Sequence, residues 1–461
     1  MTYRLPLRAA ALLALALAPS LAPGQSPDSA AGNSADDLVK VARGHETAQR
    51  WEEAIQAWFR VLSLDRANTE AREAIPKDVR QALRSSRYRD AAFLDRVLAL
   101  SQADVLALYS EVLVKVQSHY VDPEKVSVQR LFRQGLDEFL AALSDASFIA
   151  RHLKGVDESS IAKFRADVQK AWGGRDVVAA PEAVKVVATI AAAAKRVLGL
   201  RAINPVVCEF ICGACNSLDE YTAYLSASQY MAESLGSPQL SVQVNYEVGN
   251  IAVMRITHFQ PSTPQEVETE LKKMAMTGSV RAVVLDLRGN AGGLFTAAIK
   301  TAEQFLPGGI IVTAQGPSDD ANKVYTSTTG NAASDLPMIV LVDQETASAA
   351  EVLAVALRDN RRARLIGTAT FGKGTVQKVI SFTTAEEIDP ESGKPRPRAA
   401  VRITLARLIA PSGAPITGIG VVPDQIIPNP GRQLEAAKEQ ARELAGRYMG
   451  MGMMMPGGMR D

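Results

Sequence analysis

The sequence predicts an α/β core preceded by an all-helical region. In the core, apolar β-branched runs at 250–256, 282–287, 309–314 and 338–342 alternate with helix-period segments at 264–276 and 295–305, and a further helix follows at 351–360. That order implies a largely parallel sheet. Before residue 226, by contrast, the hydrophobic spacing is helical almost throughout. A length of 461 residues suggests two or three domains, and 47% hydrophobic content is enough for substantial cores. The net charge of +1 argues against a nucleic-acid partner.

Residues 1–22 carry Arg4 and Arg8, an Ala/Leu-rich run to Ala18 and small residues at the ends of Ser20-Leu21-Ala22, the pattern of a signal peptide. The apolar run is short for a membrane span. The expectation is an exported protein, periplasmic or extracellular, with membrane association weak or absent. A Ser/Ala/Gly-rich linker occupies 23–36. Residues 37–75 read as two amphipathic helices resembling one tetratricopeptide repeat, with Ala42, Ala54, Trp58 and Val61 near its packing positions. One repeat cannot bury both faces, so it should pack on helices at 77–84, 88–98 and 101–119. A structural role is preferred, and recruitment of a partner protein is the alternative.

A helical domain is expected over 76–226, enlarged by inserted Ala/Lys/Val-rich helices at 145–200. Cys208, Cys212 and Cys215 fall on one face of the helical pattern at 206–217, which favours buried thiols over a metal site. The core is assigned to 240–428 and closes with strands at 376–382 and 399–409 around a polar hairpin, 383–397, whose tip is 389–394. A terminal helix at 429–448 and a disordered Gly/Met-rich tail at 449–461 complete the chain.

Two segments of the core carry chemistry: Thr346-Ala347-Ser348-Ala349-Ala350-Glu351 and Phe371-Gly372-Lys373-Gly374-Thr375-Val376-Gln377. Each follows an apolar run and should sit at the carboxyl end of a strand, where open α/β sheets place their sites. A serine hydroxyl attacks only when a neighbouring base takes its proton. Histidine is the usual base, yet the four histidines (His45, His119, His152, His258) lie far from Ser348 in sequence. Lys373 can substitute if its amine is neutral, and Gln377 offers an acceptor that orients an amine without pairing as a full charge. The helical pattern after Ser348 makes the Ala349 N–H a candidate oxyanion donor. The turn Leu287-Arg288-Gly289-Asn290-Ala291-Gly292-Gly293 can bring further backbone N–H groups to a carbonyl oxygen.

These residues resemble the carboxyl-terminal processing (tail-specific) serine peptidases with a Ser-Lys dyad. The likeness covers 218–225 and 251–424, including Phe305-Leu306-Pro307-Gly308, Pro411-Ser412-Gly413 and Gly418-Ile419-Gly420-Val421-Val422-Pro423-Asp424. It implies a crotonase-like core, Ser348 as nucleophile, Lys373 as general base and Gln377 as the residue that positions it. It also implies oxyanion donors at Ala349 and the Gly292-Gly293 pair, and candidate supporting carboxylates at Asp359, Glu351 and Asp286. No metal or cofactor is implied, and the substrate is a protein or peptide. Relatives usually insert a PDZ domain before the core, for which the segment 226–250 leaves no room. Ala291 and Ala350 replace the proline and serine common there. The competing readings are a non-catalytic scaffold that binds peptides or other ligands on the same fold, and an acyl-CoA enzyme on the related fold, which the signal peptide disfavours.

Overall fold

The computed structural model describes residues 34–452 apart from 66–67, 220, 235–238, 329–333, 389–392 and 394. The expected leader, almost all of the linker, most of the hairpin tip and the tail beyond 452 lie outside the described residues. The chain divides into two units, one formed by residues up to Leu235 with Gln377–Leu405, the other by Gly236–Val376 with the chain from Ala406 onward.

The first unit is mainly helical. Its opening helices, Ala35–Thr47 and Trp51–Leu64, share a core with Thr69–Arg87 built on Ile55, Trp58, Val61 and Ile75. The separate helix expected from residue 77 is absent, because Thr69–Arg87 runs unbroken through Pro76. Asn68 caps it by accepting from the Ala71 N–H at 2.9 Å. A mid-helix proline costs about 3 kcal/mol. Burial of the Ile75 and Val79 side chains on one stripe, at roughly 1.5–3 kcal/mol each, offsets that cost.

The inserted segment forms helices Ala146–His152, Glu158–Trp172 and Ala180–Leu198. Their Phe148, Phe164 and Ile190 join the same core as Tyr109, Phe132, Phe139 and Phe210, so the insertion enlarges the helical unit. Helices Val128–Ala142 and Asn204–Asn216 touch backbone to backbone. A Cβ on Gly213 would lie 2.4 Å from the Gln134 carbonyl oxygen, and one on Gly135 would lie 2.9 Å from Phe210 Cα. Beside this contact Arg84 and Arg87 pair with Glu138 at 3.0 and 3.3 Å, Arg87 reaches Glu209 at 3.0 Å, and the Tyr88 hydroxyl donates to Glu209. Removing one partner would leave a buried charge unmatched. Cys208, Cys212 and Cys215 are free and buried, and burial pushes Cys215 up to about 12.

The second unit contains a six-stranded sheet in the order Gln425–Ile426, Arg364–Gly367, Met338–Val342, Ala282–Asp286, Ile251–Ile256, Val242–Glu247. All pairs are parallel except the last. Met338–Val342 and Ala282–Asp286 are buried along their whole length, as strands covered on both faces must be. Gly309–Gln315 departs from the expected parallel order. It pairs antiparallel with Lys323–Ser327 and with residues 407–409 of the strand Ala399–Ile409. Only Ile311, Val312 and Ala314 of that strand are buried, a pattern that fits a sheet open on one side. The terminal helix, Pro430–Gly452, extends beyond the expected residue 448. Its Ala437, Ala441 and Ala445 pack on Ile251, Val284, Ile339 and Leu341.

The Gly213 contact yields a direct expectation. Gly213→Ala should destabilise the first unit by about 1–3 kcal/mol through overpacking, read as a lower denaturant midpoint. Gly446→Ala, where a Cβ meets nothing within 4 Å, should be neutral or stabilising by up to about 1 kcal/mol.

Candidate active site

Three neighbouring strands of the parallel sheet, Ala282–Asp286, Met338–Val342 and Arg364–Gly367, each run into a loop at their carboxyl ends. Those loops hold the glycine-rich turn, Ser348 and Lys373.

Ser348 caps the helix Ala349–Asp359 with φ +55° and ψ −119°. A side-chain-bearing residue in such a region stores about 1–3 kcal/mol and persists only where its surroundings fix it. The fixing groups are visible. The Ser348 N–H donates to Glu351 Oε2 at 2.8 Å, and the Ala347 N–H donates to the Asn290 carbonyl at 2.9 Å. Thr346 Oγ1 donates to the Leu287 carbonyl and accepts from the Asp343 N–H, both at 2.9 Å. A sharp strand-to-helix turn of this kind presents a serine hydroxyl outward.

The glycine turn approaches the serine as closely as backbone allows. Gly292 has φ +105°, and a Cβ there would lie 2.9 Å from Ser348 Cβ and 3.1 Å from the Ala349 nitrogen. Gly293, at φ +130°, would put a Cβ 2.2 Å from the Phe259 carbonyl oxygen. Only glycine fits either place. Asn290, fully buried, locks the turn by donating from Nδ2 to the Ile256 carbonyl at 2.9 Å and accepting the Gly292 N–H on Oδ1 at 2.8 Å. This corrects one expectation: the Gly292 N–H is already engaged and is not a spare oxyanion donor. Among the described residues no protein acceptor takes the N–H of Ala349 or Gly293.

The lysine loop is tied to the serine loop at several points. The Phe371 N–H donates to the Thr346 carbonyl at 3.0 Å. Glu351 then accepts from Thr370 Oγ1 at 2.5 Å and the Gly372 N–H at 2.7 Å on Oε1, and from the Lys373 N–H at 2.8 Å on Oε2. The oxygen that holds the Ser348 N–H thus also holds that of Lys373, so the two backbones converge on one atom. Glu351 is fully buried. Burial raises its pKa, while the bonds from Thr370, Gly372, Ser348 and Lys373 favour the carboxylate and oppose that shift. Below the lysine, Gly374 is pressed on Thr417, whose nitrogen would lie 2.3 Å from an added Cβ. The Gly374 carbonyl accepts from Thr417 Oγ1 at 2.6 Å and the Leu408 N–H at 2.8 Å.

Gln377 belongs to the first unit, where its Nε2 lies 3.5 Å from Thr404 Oγ1. Asp359 ends the serine helix, about 16 Å from Ser348 at 1.5 Å per residue, and accepts from Arg358 Nε at 2.9 Å and the Ser412 N–H at 3.1 Å. Asp286 is bidentate with Arg288, at 2.9 and 2.8 Å. Both carboxylates therefore brace loops rather than join the serine and lysine, whereas Glu351 does join them. Asn290, Thr346 and Thr370 were missed as site-builders. A signal existed for Asn290, since an asparagine side chain favours the backbone N–H two residues on. Among the described residues no three His, Cys, Asp or Glu side chains are grouped to hold a metal ion.

Residues 250–427 match the model of peptidase family S41. Over 191 residues the chain is 36% identical to a carboxy-terminal-processing protease of Bartonella bacilliformis, covering 41% of each chain. It is 34% identical over 184 residues to a carboxyl-terminal-processing protease of Synechocystis, covering 39% of each. The match thus spans about two fifths of the length of these curated relatives. A solved photosystem II D1 C-terminal processing protease aligns over 71% of this chain and 94% of its own, at 20% identity and a TM-score of 0.40.

Glu351 is the testable joint between the serine and lysine loops. Replacing its carboxylate by an amide (Glu351→Gln) turns an NH2 toward donors, leaving at least one buried N–H unmatched at about 1–3 kcal/mol. Hydrogen exchange of the Ser348, Gly372 and Lys373 amides should accelerate, on the order of 5- to 100-fold. Exchange in the helix Val128–Ala142 should not change.

Proposed function

We propose that the chain is a serine endopeptidase of the carboxyl-terminal processing type, with Ser348 and Lys373 as its dyad. The observation that carries this reading is the convergence of the Ser348 and Lys373 N–H groups on Glu351 Oε2, at 2.8 Å each, with Ser348 held at positive φ. The core is read as crotonase-like and the helices from residue 35 as tetratricopeptide-like. The leader pattern at 1–22 supports export to the periplasm or beyond. Among the described residues no helix is long and apolar enough to cross a membrane.

In the proposed mechanism an extended peptide places its scissile carbonyl against Ser348. As Oγ attacks, the neutral Lys373 amine takes the hydroxyl proton. The oxyanion that forms is met by the N–H groups of Ala349 and Gly293, and loss of one such donor typically costs about 100-fold or more in rate. Lys373 then returns the proton to the leaving amine, and water releases the acyl group by the same route. Gln377 is retained as the proposed positioning residue for Lys373. Asn290 adds a role that needs no contact with substrate, since it fixes the turn bearing Gly293. Selection of substrate without a PDZ groove would fall to the helical segments outside the core.

Hydrolysis of an unfolded test protein by Ser348→Ala, Lys373→Ala and the double variant should be lost in all three, to the same background, because the two groups act as a unit. Lys373→Arg should be equally inactive, since guanidinium holds its proton at any working pH. Wild-type rate should rise with pH, because only the deprotonated amine is a base. Turnover by Lys373→Arg in a folded protein would refute the dyad.

A further inference from the structure

The first unit holds a pair of buried hydroxyls beside Gln377. Thr404, in the strand Ala399–Ile409, and Thr222, just before the strand Ala223–Ser226, meet where those two strands pair antiparallel. Their exposure is 1% and 3%. The Thr404 N–H donates to Thr222 Oγ1 at 3.2 Å, and Thr222 Oγ1 donates to Thr404 Oγ1 at 3.4 Å. Thr222 is itself held in place, since Asp219 Oδ1 accepts its N–H at 2.6 Å and that of Tyr221 at 2.8 Å. The Thr404 carbonyl accepts from the Val121 N–H at 2.9 Å, which fixes the strand at this residue.

Packing alone does not call for hydroxyls here. Ile403 and Ala406 beside Thr404 are buried and apolar, and valine matches the shape of threonine but for the hydroxyl. A buried hydroxyl is unfavourable unless its hydrogen bonds compensate, and contacts of 3.2 and 3.4 Å within the pair are long ones. Gln377 supplies a further partner, its Nε2 lying 3.5 Å from Thr404 Oγ1. An amide nitrogen only donates, whereas a hydroxyl oxygen has two acceptor lone pairs, enough for Thr222 and Gln377 together. With Nε2 turned to the hydroxyl, the carboxamide carries Oε1 on its opposite branch, and a carbonyl oxygen is the acceptor that orients a lysine amine. Reversed, the carboxamide would aim a donor at the amine and occupy the lone pair that takes the serine proton. We propose that Thr404, fixed by Thr222, is a positioning residue for the peptidase reaction, setting the direction of the Gln377 carboxamide so that Oε1 is offered to Lys373. This rests on the Ser348–Lys373 dyad with Gln377 as its positioning residue.

Steady-state hydrolysis of an unfolded test protein by Thr404→Val, Thr404→Ser, Gln377→Ala and the Thr404→Val/Gln377→Ala double variant tests this. Thr404→Val should lower kcat about 5- to 10-fold with KM unchanged. Thr404→Ser, which keeps the hydroxyl, should retain most of the wild-type kcat. The double variant should be no slower than Gln377→Ala alone, because the hydroxyl acts only through that side chain. A merely structural threonine would instead show the same loss in both backgrounds. If Thr404→Val fails to fold, Thr404→Ala carries the same test with the same expected loss. Wild-type kcat in the folded valine or alanine variant, wild-type kcat in Gln377→Ala, or an equal further loss on top of Gln377→Ala overturns the proposal and leaves the dyad standing. Turnover by a folded Lys373→Arg protein overturns the dyad itself, and the proposal with it.

Discussion

The second unit's site depends on one buried carboxylate. Glu351 gathers donors from three places in the chain: the Ser348 N–H before its own helix, the Thr370 hydroxyl, and the N–H groups of Gly372 and Lys373. An ionised carboxylate is the side chain suited to this, because both oxygens accept and neither donates. The geometry also explains why Ser348 tolerates its positive φ. The residue is clamped on one side by Glu351 and on the other, through Ala347, by the Asn290 carbonyl. Strain at one residue is thus balanced by a network that reaches three strand ends.

Close backbone approach supplies the rest. Gly292 lies where any side chain would strike Ser348, and Gly374 lies where any side chain would strike Thr417. These are packing statements that a motif conceals, since a glycine in a pattern does not say what it touches. Asn290 makes the same point, consuming the Gly292 N–H and so distinguishing it from its neighbour Gly293.

Much of this was legible in the sequence because it is local. The strand 338–342 and the helix that follows Ser348 read directly from an apolar run and a helical period, and their order along the parallel sheet set the serine and lysine loops side by side. What was not legible depended on distant partners. Asp359 and Asp286 share the carboxylate chemistry of Glu351, yet the Ser412 N–H and Arg288 claim them. Gly309–Gln315 has the composition of a parallel strand, and only its pairing with residues 323–327 and 407–409 assigns it to the other sheet. Pro76 looked like a boundary because its cost is local, whereas the burial that offsets it belongs to the three-helix core.

In the proposed dyad the clamped Ser348 is the nucleophile and Lys373 its base. This is tested most directly by treating the purified protein with a serine-directed phosphonate across a range of pH and locating the adduct by peptide mapping. A single adduct at Ser348 is expected, forming faster as pH rises and absent in the Lys373→Arg protein. Labelling of Ser348 at the same rate with arginine at 373, or an adduct confined to another serine, would contradict it.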